Sequence, residues 1–372
     1  MNSVGIIQKD APDTETDAPV FVAPEWKLIW WKFRKHKLAL LSGLFILLIY
    51  LVALLVEFLA PFPPTATNAK YLYAPPQPLQ FDGGLFISGY TSVVDKASLR
   101  RIFAVDPTQK IQVGFFVEGA PYRLFGLLPS NRHLFGPVDP AQPMYLLGSD
   151  RLGRDLLSRL IYGTRISMSI GLVGVFFALL LGVALGGISG YYGGQVDTVI
   201  QRSIELVRSI PQIPLWMGLT AALTFTLSPV QIYFAITIIL SLLTWPDLAR
   251  AVRGRFLSLR TEDFVTAARL DGASEGRIIF RHMLPSFFSH IIATLTLTIP
   301  GTILAETALS FLGLGLREPV VSWGVLLQDA QDIRSIATAP WLLIPGLVVI
   351  VSVLAFNLVG DGLRDAADPY SH

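Results

Sequence analysis

The sequence predicts an all-α polytopic membrane protein with six transmembrane helices, and three observations carry that prediction. Of 372 residues, 52% are hydrophobic and only 15% charged, where soluble chains carry about 25% charged residues. Six stretches, 38–59, 166–188, 211–227, 230–245, 287–312 and 341–360, are apolar over about the 17–25 residues that cross a bilayer. Backbone groups in hydrocarbon must find partners within their own segment, so each stretch reads as a helix.

Residues 1–37 comprise a polar tail and a segment in which Trp26, Leu28, Ile29, Trp30, Trp31 and Phe33 alternate with lysines. That alternation predicts an interfacial helix. Lys32, Arg34, Lys35 and Lys37 then precede the first span, 38–59, and basic clusters of this kind mark the cytoplasmic flank. The span outruns the roughly 7–15 apolar residues of a signal peptide, so it is expected to stay uncleaved. Alternating the loops from there leaves both termini cytoplasmic. It also puts Arg250, Arg253, Arg255, Arg260, Arg269, Arg277 and Arg281 on one inner loop, 246–286.

Residues 60–147 form an outer insert rich in proline. Ile111, Val113, Phe115 and Val117 alternate with other residues, and Glu118-Gly119-Ala120-Pro121 then leads to Tyr122-Arg123-Leu124-Phe125. This pattern predicts a small β-hairpin. Residues 148–165 read as an amphipathic interfacial helix. Leu156, Leu157, Leu160 and Ile161 lie on one face, and Arg154, Asp155, Ser158 and Arg159 on the other. Ser149 or Asp150 is expected to cap its start and Gly163 to end it. A five-helix core, 166–365, follows, in which 211–227 and 230–245 form a tight hairpin about Ser228-Pro229, and 366–372 is a short tail. Gly182, Gly186, Gly187 and Gly190 give the second span a stripe where another helix can approach closely.

The inner loop segment 261–285 carries the functional reading. Thr261 can cap a helix whose first turn holds Glu262 and Asp263, where acids suit the positive end of the helix dipole. Ala267-Ala268 leaves a smooth face, and Gly272 can take the left-handed conformation that ends the helix. A second short helix is expected from about Ser274 to just before Pro285. Two short helices meeting at a glycine elbow, tied to spans four and five, can pass one push to two membrane helices.

Ala267-Ala268, Gly272 and Leu284-Pro285 stand at the spacing of the "EAA" loop of ABC importer permeases, which this segment resembles; Thr266 replaces the usual Glu and His282 the usual Ile. The chain is similar to the dipeptide/oligopeptide/nickel branch of that superfamily, to the second, C-type, permease of each pair. The resemblance rests on Gly148-Ser149-Asp150, Gly153-Arg154-Asp155, Gly190-Tyr191-Tyr192-Gly193-Gly194, Glu306 to Gly315, Trp323-Gly324 and Gly360 to Asp365. It covers about 25–60 and 145–369, leaving the insert outside. It implies the six-helix type I importer permease fold with a periplasmic insert, in the bacterial inner membrane. The implied partners are a second homologous permease, two ABC ATPase subunits on the EAA loops and a substrate-binding protein, besides membrane lipid. Ala267, Ala268, Asp271, Gly272, Ala273, Leu284 and Pro285 become the ATPase-coupling residues. Members of the family carry peptides, oligosaccharides, opine-like compounds or nickel.

Other function classes find little support. No Gly-x-x-x-x-Gly-Lys-Ser/Thr loop occurs, so ATP hydrolysis is expected from separate subunits. Zero cysteines exclude disulfides and thiolate chemistry, and a net charge of +2 offers nothing to nucleic acid. Catalytic residues, metal ligands and cofactors are all expected to be none. Glu306, inside span five, is a candidate for either a pore or a structural role, and His290 for packing. A stand-alone proton- or sodium-coupled carrier is the rival class, but it gives the elbow no task.

Overall fold

The computed structural model describes residues 25–94, 101–223 and 227–367; the expected tail at 1–24 and the last residues, 368–372, lie outside them. Helix α1 (Glu25–Lys35) leads through His36 into α2 (Lys37–Leu54). His36 caps α2 by accepting from the Ala39 N–H at 3.1 Å through Nδ1. A further turn, α3 (Val56–Leu59), ends the first span.

The insert folds around a four-stranded antiparallel meander, β1 (Leu79–Phe81), β2 (Leu85–Val94), β3 (Arg101–Leu124) and β4 (Leu128–Pro137). The hairpin expected at 111–125 is not there: both halves of its alternating pattern belong to β3, which pairs with β2 up to Gln112 and with β4 from Val113. Glu118 to Tyr122 is a bulge instead of a turn. Pro121 lacks the N–H that a ladder needs, and a bulge accommodates it without reversing the chain. Ile87, Ile111, Val113 and Met144 form the small core beneath the sheet.

The interfacial helix expected at 148–165 is also corrected. Residues 148–155 form a loop closed by a Ser149–Asp155 bridge, and the helix begins at Leu156, capped by Asp155 Oδ2 accepting from the Ser158 N–H at 2.7 Å. It then runs unbroken as α4 (Leu156–Tyr192), 37 residues long. Gly163 does not end it, because Gly163 makes room for Trp323, whose ring lies 3.3 Å from where a Cβ would stand. The supposed water-facing side is buried: Arg159 is 1% exposed and Ser158 1%.

Then come α5 (Gly194–Ser209), α6 (Gln212–Leu223), α7 (Pro229–Leu259) and α8 (Asp263–Leu270). Ser228 and Gln231 form a reciprocal capping box at the start of α7. After α8 the chain turns into α9 (Glu275–Arg277), a π-helical stretch Ile278–Met283, a 3-10 stretch Leu284–Phe287, and α10 (Phe288–Phe311). The chain closes with α11 (Trp323–Gln328), α12 (Ile333–Thr338) and α13 (Ile344–Ala367).

Among the described residues, five helical segments are long and apolar enough to cross a membrane: Lys37–Leu54, Leu156–Tyr192, Gln231–Leu259, Glu275–Phe311 and Pro340–Ala367. Of the sixth expected span, 211–227, the described part is α6, Gln212–Leu223.

Helices α4 and α7 run side by side in the same direction, from Tyr233 on Ser169 at the sheet end to Gly190 against Arg253 at the end carrying α8, and α10 runs antiparallel to both, from Phe287 on Phe256 back to Glu306 on Ser167. Helix α4 sits at the centre, packed on α7, α10 and α2, while α13 closes against α10 and α2. The glycine stripe earns its place against α7: a Cβ on Gly190 would stand 2.7 Å from the Arg253 carbonyl oxygen. A close backbone approach of this kind is how membrane helices associate when no hydrophobic force pushes them together. Ile49, Met168, Ile303, Trp323 and Phe356 fill the layer between α2, α4, α10 and α13.

Candidate functional site

The segment 261–285 forms the elbow that its residue pattern predicts, with three differences. Thr261 does not cap α8; its hydroxyl donates to the Ser258 carbonyl at 3.2 Å, and Glu262 takes the cap position without a side-chain bond. The two alanines do not share a face. Ala268 is 9% exposed and packs with Val265, Phe256, Ile278 and Met283, whereas Ala267 is exposed. A spacing of one residue turns a side chain by 100° on a helix, so neighbours cannot both face one partner. Finally, Pro285 does not stop the second helix. It sits at the start of the 3-10 stretch, where its missing N–H costs nothing, and the chain coils on into α10.

Gly272 is the hinge of the elbow. Its φ is +74°, and nothing lies within 4 Å of a Cβ built on it, so the glycine serves conformation and not space. The N–H groups of Asp271, Gly272 and Ala273 donate to the carbonyls of Ala267, Arg269 and Ala268 at 2.9, 3.1 and 3.0 Å, closing the end of α8. Asp271 is exposed, Ala273 half-buried, Leu284 half-buried against the same core, and Pro285 exposed.

The residues that the sequence reading missed lie on the outer face of the elbow. Phe264 is 42% exposed, Leu270 83% and Phe280 70%. With Ala267, they make an apolar surface on a helix whose inner side is already buried. The signal was present as apolar residues at positions 264, 267 and 270, three apart.

Two polar ties couple this end to the bundle. Asp197 of α5 accepts Arg253 Nε and Nη2 at 2.5 Å each and the Ser189 hydroxyl at 2.5 Å. The Arg253 guanidinium holds the Asp197 carboxyl below its usual range. Tyr192, at the end of α4, donates its hydroxyl to Glu275 Oε2 at 2.8 Å. A displacement of α9 therefore reaches α4 directly as well as α10.

At the sheet end, Asp150, Arg154 and Arg159, all buried, build an ion network with Glu318, which is exposed. Asp150 Oδ2 accepts Arg154 Nε at 2.7 Å and also Arg159 Nη1. Glu318 Oε1 accepts Arg154 Nη2 at 2.6 Å and Arg159 Nη2 at 2.9 Å. Two cations and two carboxylates balance, which is the condition for taking the buried three out of water. Arg154 chiefly, with Arg159, drives the Glu318 carboxyl down to about 2, while burial lifts Asp155 to about 6.

Glu306 is 1% exposed inside α10. Ser310 and Ser322 donate to its Oε1 at 2.8 and 2.6 Å, and Ser167 to Oε2 at 3.5 Å. Each hydroxyl also accepts a backbone N–H, from Leu316, Val325 and Trp323 respectively. The carboxyl thus gathers α4, α10 and the start of α11 about one point. No group of three or more potential metal ligands occurs among the described residues.

Comparison with known proteins agrees with this layout. Residues 182–370, just over half the chain, match the model of the binding-protein-dependent transport system inner membrane component, and residues 25–76 match the N-terminal TM domain of oligopeptide transport permease C. The dipeptide transport system permease protein DppC of Haemophilus influenzae is 33% identical over 357 residues, 95% of this chain and 98% of its own length. The di/tripeptide permease DppC of Pseudomonas aeruginosa is 33% identical over 344 residues, covering 92% and 91%. Both matches extend through the insert, which the motif resemblance left uncovered. A solved structure of the methionine ABC transporter MetNI is similar at 19% identity and TM-score 0.45, over 57% of this chain and 97% of that one. With its helical bundle, its EAA-spaced elbow and full-length relatives, the chain belongs to the binding-protein-dependent inner membrane components, as an ABC importer permease of the peptide family.

Proposed function

We propose that this chain forms half of the translocation path of a peptide importer and takes its power stroke at the α8–α9 elbow. The observation that carries the reading is the two-sided character of α8: Val265 and Ala268 are locked into the core, while Phe264, Ala267 and Leu270 are exposed. An ATPase subunit seated on that apolar face moves the elbow as one body, because its inner side is packed. Gly272 lets α8 and α9 meet at an angle, α9 coils on into α10, and Tyr192–Glu275 and Asp197–Arg253 carry the motion to α4, α5 and α7.

In this reading the elbow end and both termini are cytoplasmic, as the basic residues at 32–37 and 250–281 require. The insert faces the binding protein's side, a second permease completes the path, and ATP is hydrolysed by the partners alone. Peptides are the cargo, after the dipeptide and di/tripeptide systems to which the full-length relatives belong.

The test is to tag the C-terminus, extract the chain gently from its native membrane and identify what accompanies it. A second permease and one or two kinds of ATPase are expected, with ATP-dependent peptide uptake on reconstitution. A chain recovered alone that transports without ATP overturns the proposal in favour of an ion-coupled carrier.

A further inference from the structure

The tip of the β3–β4 hairpin is built unlike a turn that faces water. Phe125 and Gly126 are its central residues, at φ +55° and +73°, and the Leu127 N–H closes it on the Leu124 carbonyl at 3.0 Å. Turns with two positive φ values normally use Asn-Gly, because a bulky residue is strained there. This chain spends a phenylalanine on the position. From Leu124 to Pro129 there is no charged side chain and no side-chain hydrogen-bonding group. Leu127 is 80% exposed, Leu128 62% and Phe125 49%.

The hairpin also lies at a definite level. The Phe62 N–H donates to Ser158 Oγ at 3.0 Å, which ties the base of the insert to the first turn of α4. One turn nearer the bilayer, the Phe116 ring lies 6.1 Å from that of Phe58, at the end of the first span. Further along β3, Tyr122 comes within electrostatic range of Tyr162, nearly two turns into α4. The hairpin therefore runs along the plane in which the spans leave the membrane and does not rise away from it. Just below that plane, Arg165 grips Glu57 Oε2 at 2.7 Å. Leu51 and Leu54, exposed at the end of α2 just before the turn that carries Phe58, lie on the surface that lipid must cover.

We propose that residues 124–128 rest in the headgroup–acyl boundary of the leaflet on the sheet side, as a membrane-surface wedge. Exposed apolar groups run from Leu51 and Leu54 on the first span through Phe116, beside Phe58, to the tip, with exposed Glu118 and Arg123 between them on β3. Arg123 and Arg132, both exposed, flank the tip at the height of lipid phosphates. Aromatic and apolar side chains backed by basic ones are what a membrane interface selects. The wedge holds the insert flat beside the bundle and so fixes the orientation of the surface above it.

The chain has no cysteine, so in a transporter whose partner subunits are made cysteine-free a single spin label reports one position. Leu127→Cys and, separately, Phe125→Cys are labelled in the full transporter, reconstituted in phosphatidylethanolamine–phosphatidylglycerol liposomes. Ala104→Cys, exposed on the other half of β3, is the water-facing reference. Collision with molecular oxygen and with a water-soluble nickel chelate is then compared. A shift at both tip positions toward oxygen and away from nickel, relative to position 104, is expected. Free access of nickel to the tip overturns the proposal, and so does shielding from both reagents, which identifies a protein partner as the cover. The readout is position and not uptake, so its result is separate from that of the transport test.

Discussion

Glu306 shows how one side chain in a bilayer can be made tolerable. Burying a carboxyl costs several kcal/mol unless hydrogen bonds replace its water, and three serines replace it here. Each of those hydroxyls is already committed as an acceptor to a backbone N–H, so its proton points to the carboxyl. The geometry distinguishes a packing role from a transport role. Glu306→Gln keeps an acceptor for Ser310 and Ser322 and is expected to leave assembly and uptake close to wild type. Glu306→Leu strands hydroxyls in the core and is expected to cost about 1–3 kcal/mol, read as faster thermal inactivation in detergent. Loss of uptake in the Gln variant, with the complex intact, is the result that makes Glu306 a transport residue.

At the scale of elements, the elbow is the part whose shape depends on one backbone angle. A β-branched residue at Gly272 must adopt φ near +74° at a cost of about 1–3 kcal/mol, or else the end of α8 unwinds. Gly272→Val is expected to leave the chain inserted and the bundle folded, because no other atom crowds the site. It is also expected to weaken ATPase co-purification and uncouple hydrolysis from uptake. Gly272→Asn, which tolerates the left-handed region, is expected to keep most of both. Normal transport by the Val variant removes the elbow from the coupling path. Helix α4 illustrates the opposite case, an element decided by its surroundings. Its first turns looked amphipathic because Arg159 and Ser158 face the ion network and Phe62, and not because they face water.

For the whole molecule, the network of Asp150, Arg154, Arg159 and Glu318 binds the base of the insert to the loop after α10. Glu318 titrates near 2 when folded against an ordinary 4.5. Its contribution is thus fully present above about 4.5 and is lost as pH falls toward 2. Asp155 acts in the other sense: raised from 3.8 to about 6, it favours the folded state as pH falls through that window. Thermal unfolding of the detergent-solubilised chain is therefore expected to show its acid decline chiefly below about 3.8. Glu318→Gln is expected to flatten that decline while lowering stability at neutral pH. An unchanged acid limb means that the network does not govern acid stability.

The sequence alone determined what depends on the solvent and on local backbone chemistry. The apolar runs declared a helical membrane bundle, and Ala267-Ala268, Gly272 and Leu284-Pro285 the elbow and its family. Five of six predicted spans are long helices, and the glycine stripe of α4 lies where a close approach was expected. Only the tertiary structure decided what depends on partners far apart in the chain. The Arg154–Glu318 contact joins residues 164 positions apart, so no local pattern reveals that the Arg154 charge is buried. The strand β3 absorbs what read as two strands, because a bulge and a turn look alike in sequence until a neighbouring strand fixes the register. Ala267 and Ala268 part company for the same reason: adjacency is a property of the chain, whereas facing a partner is a property of the fold.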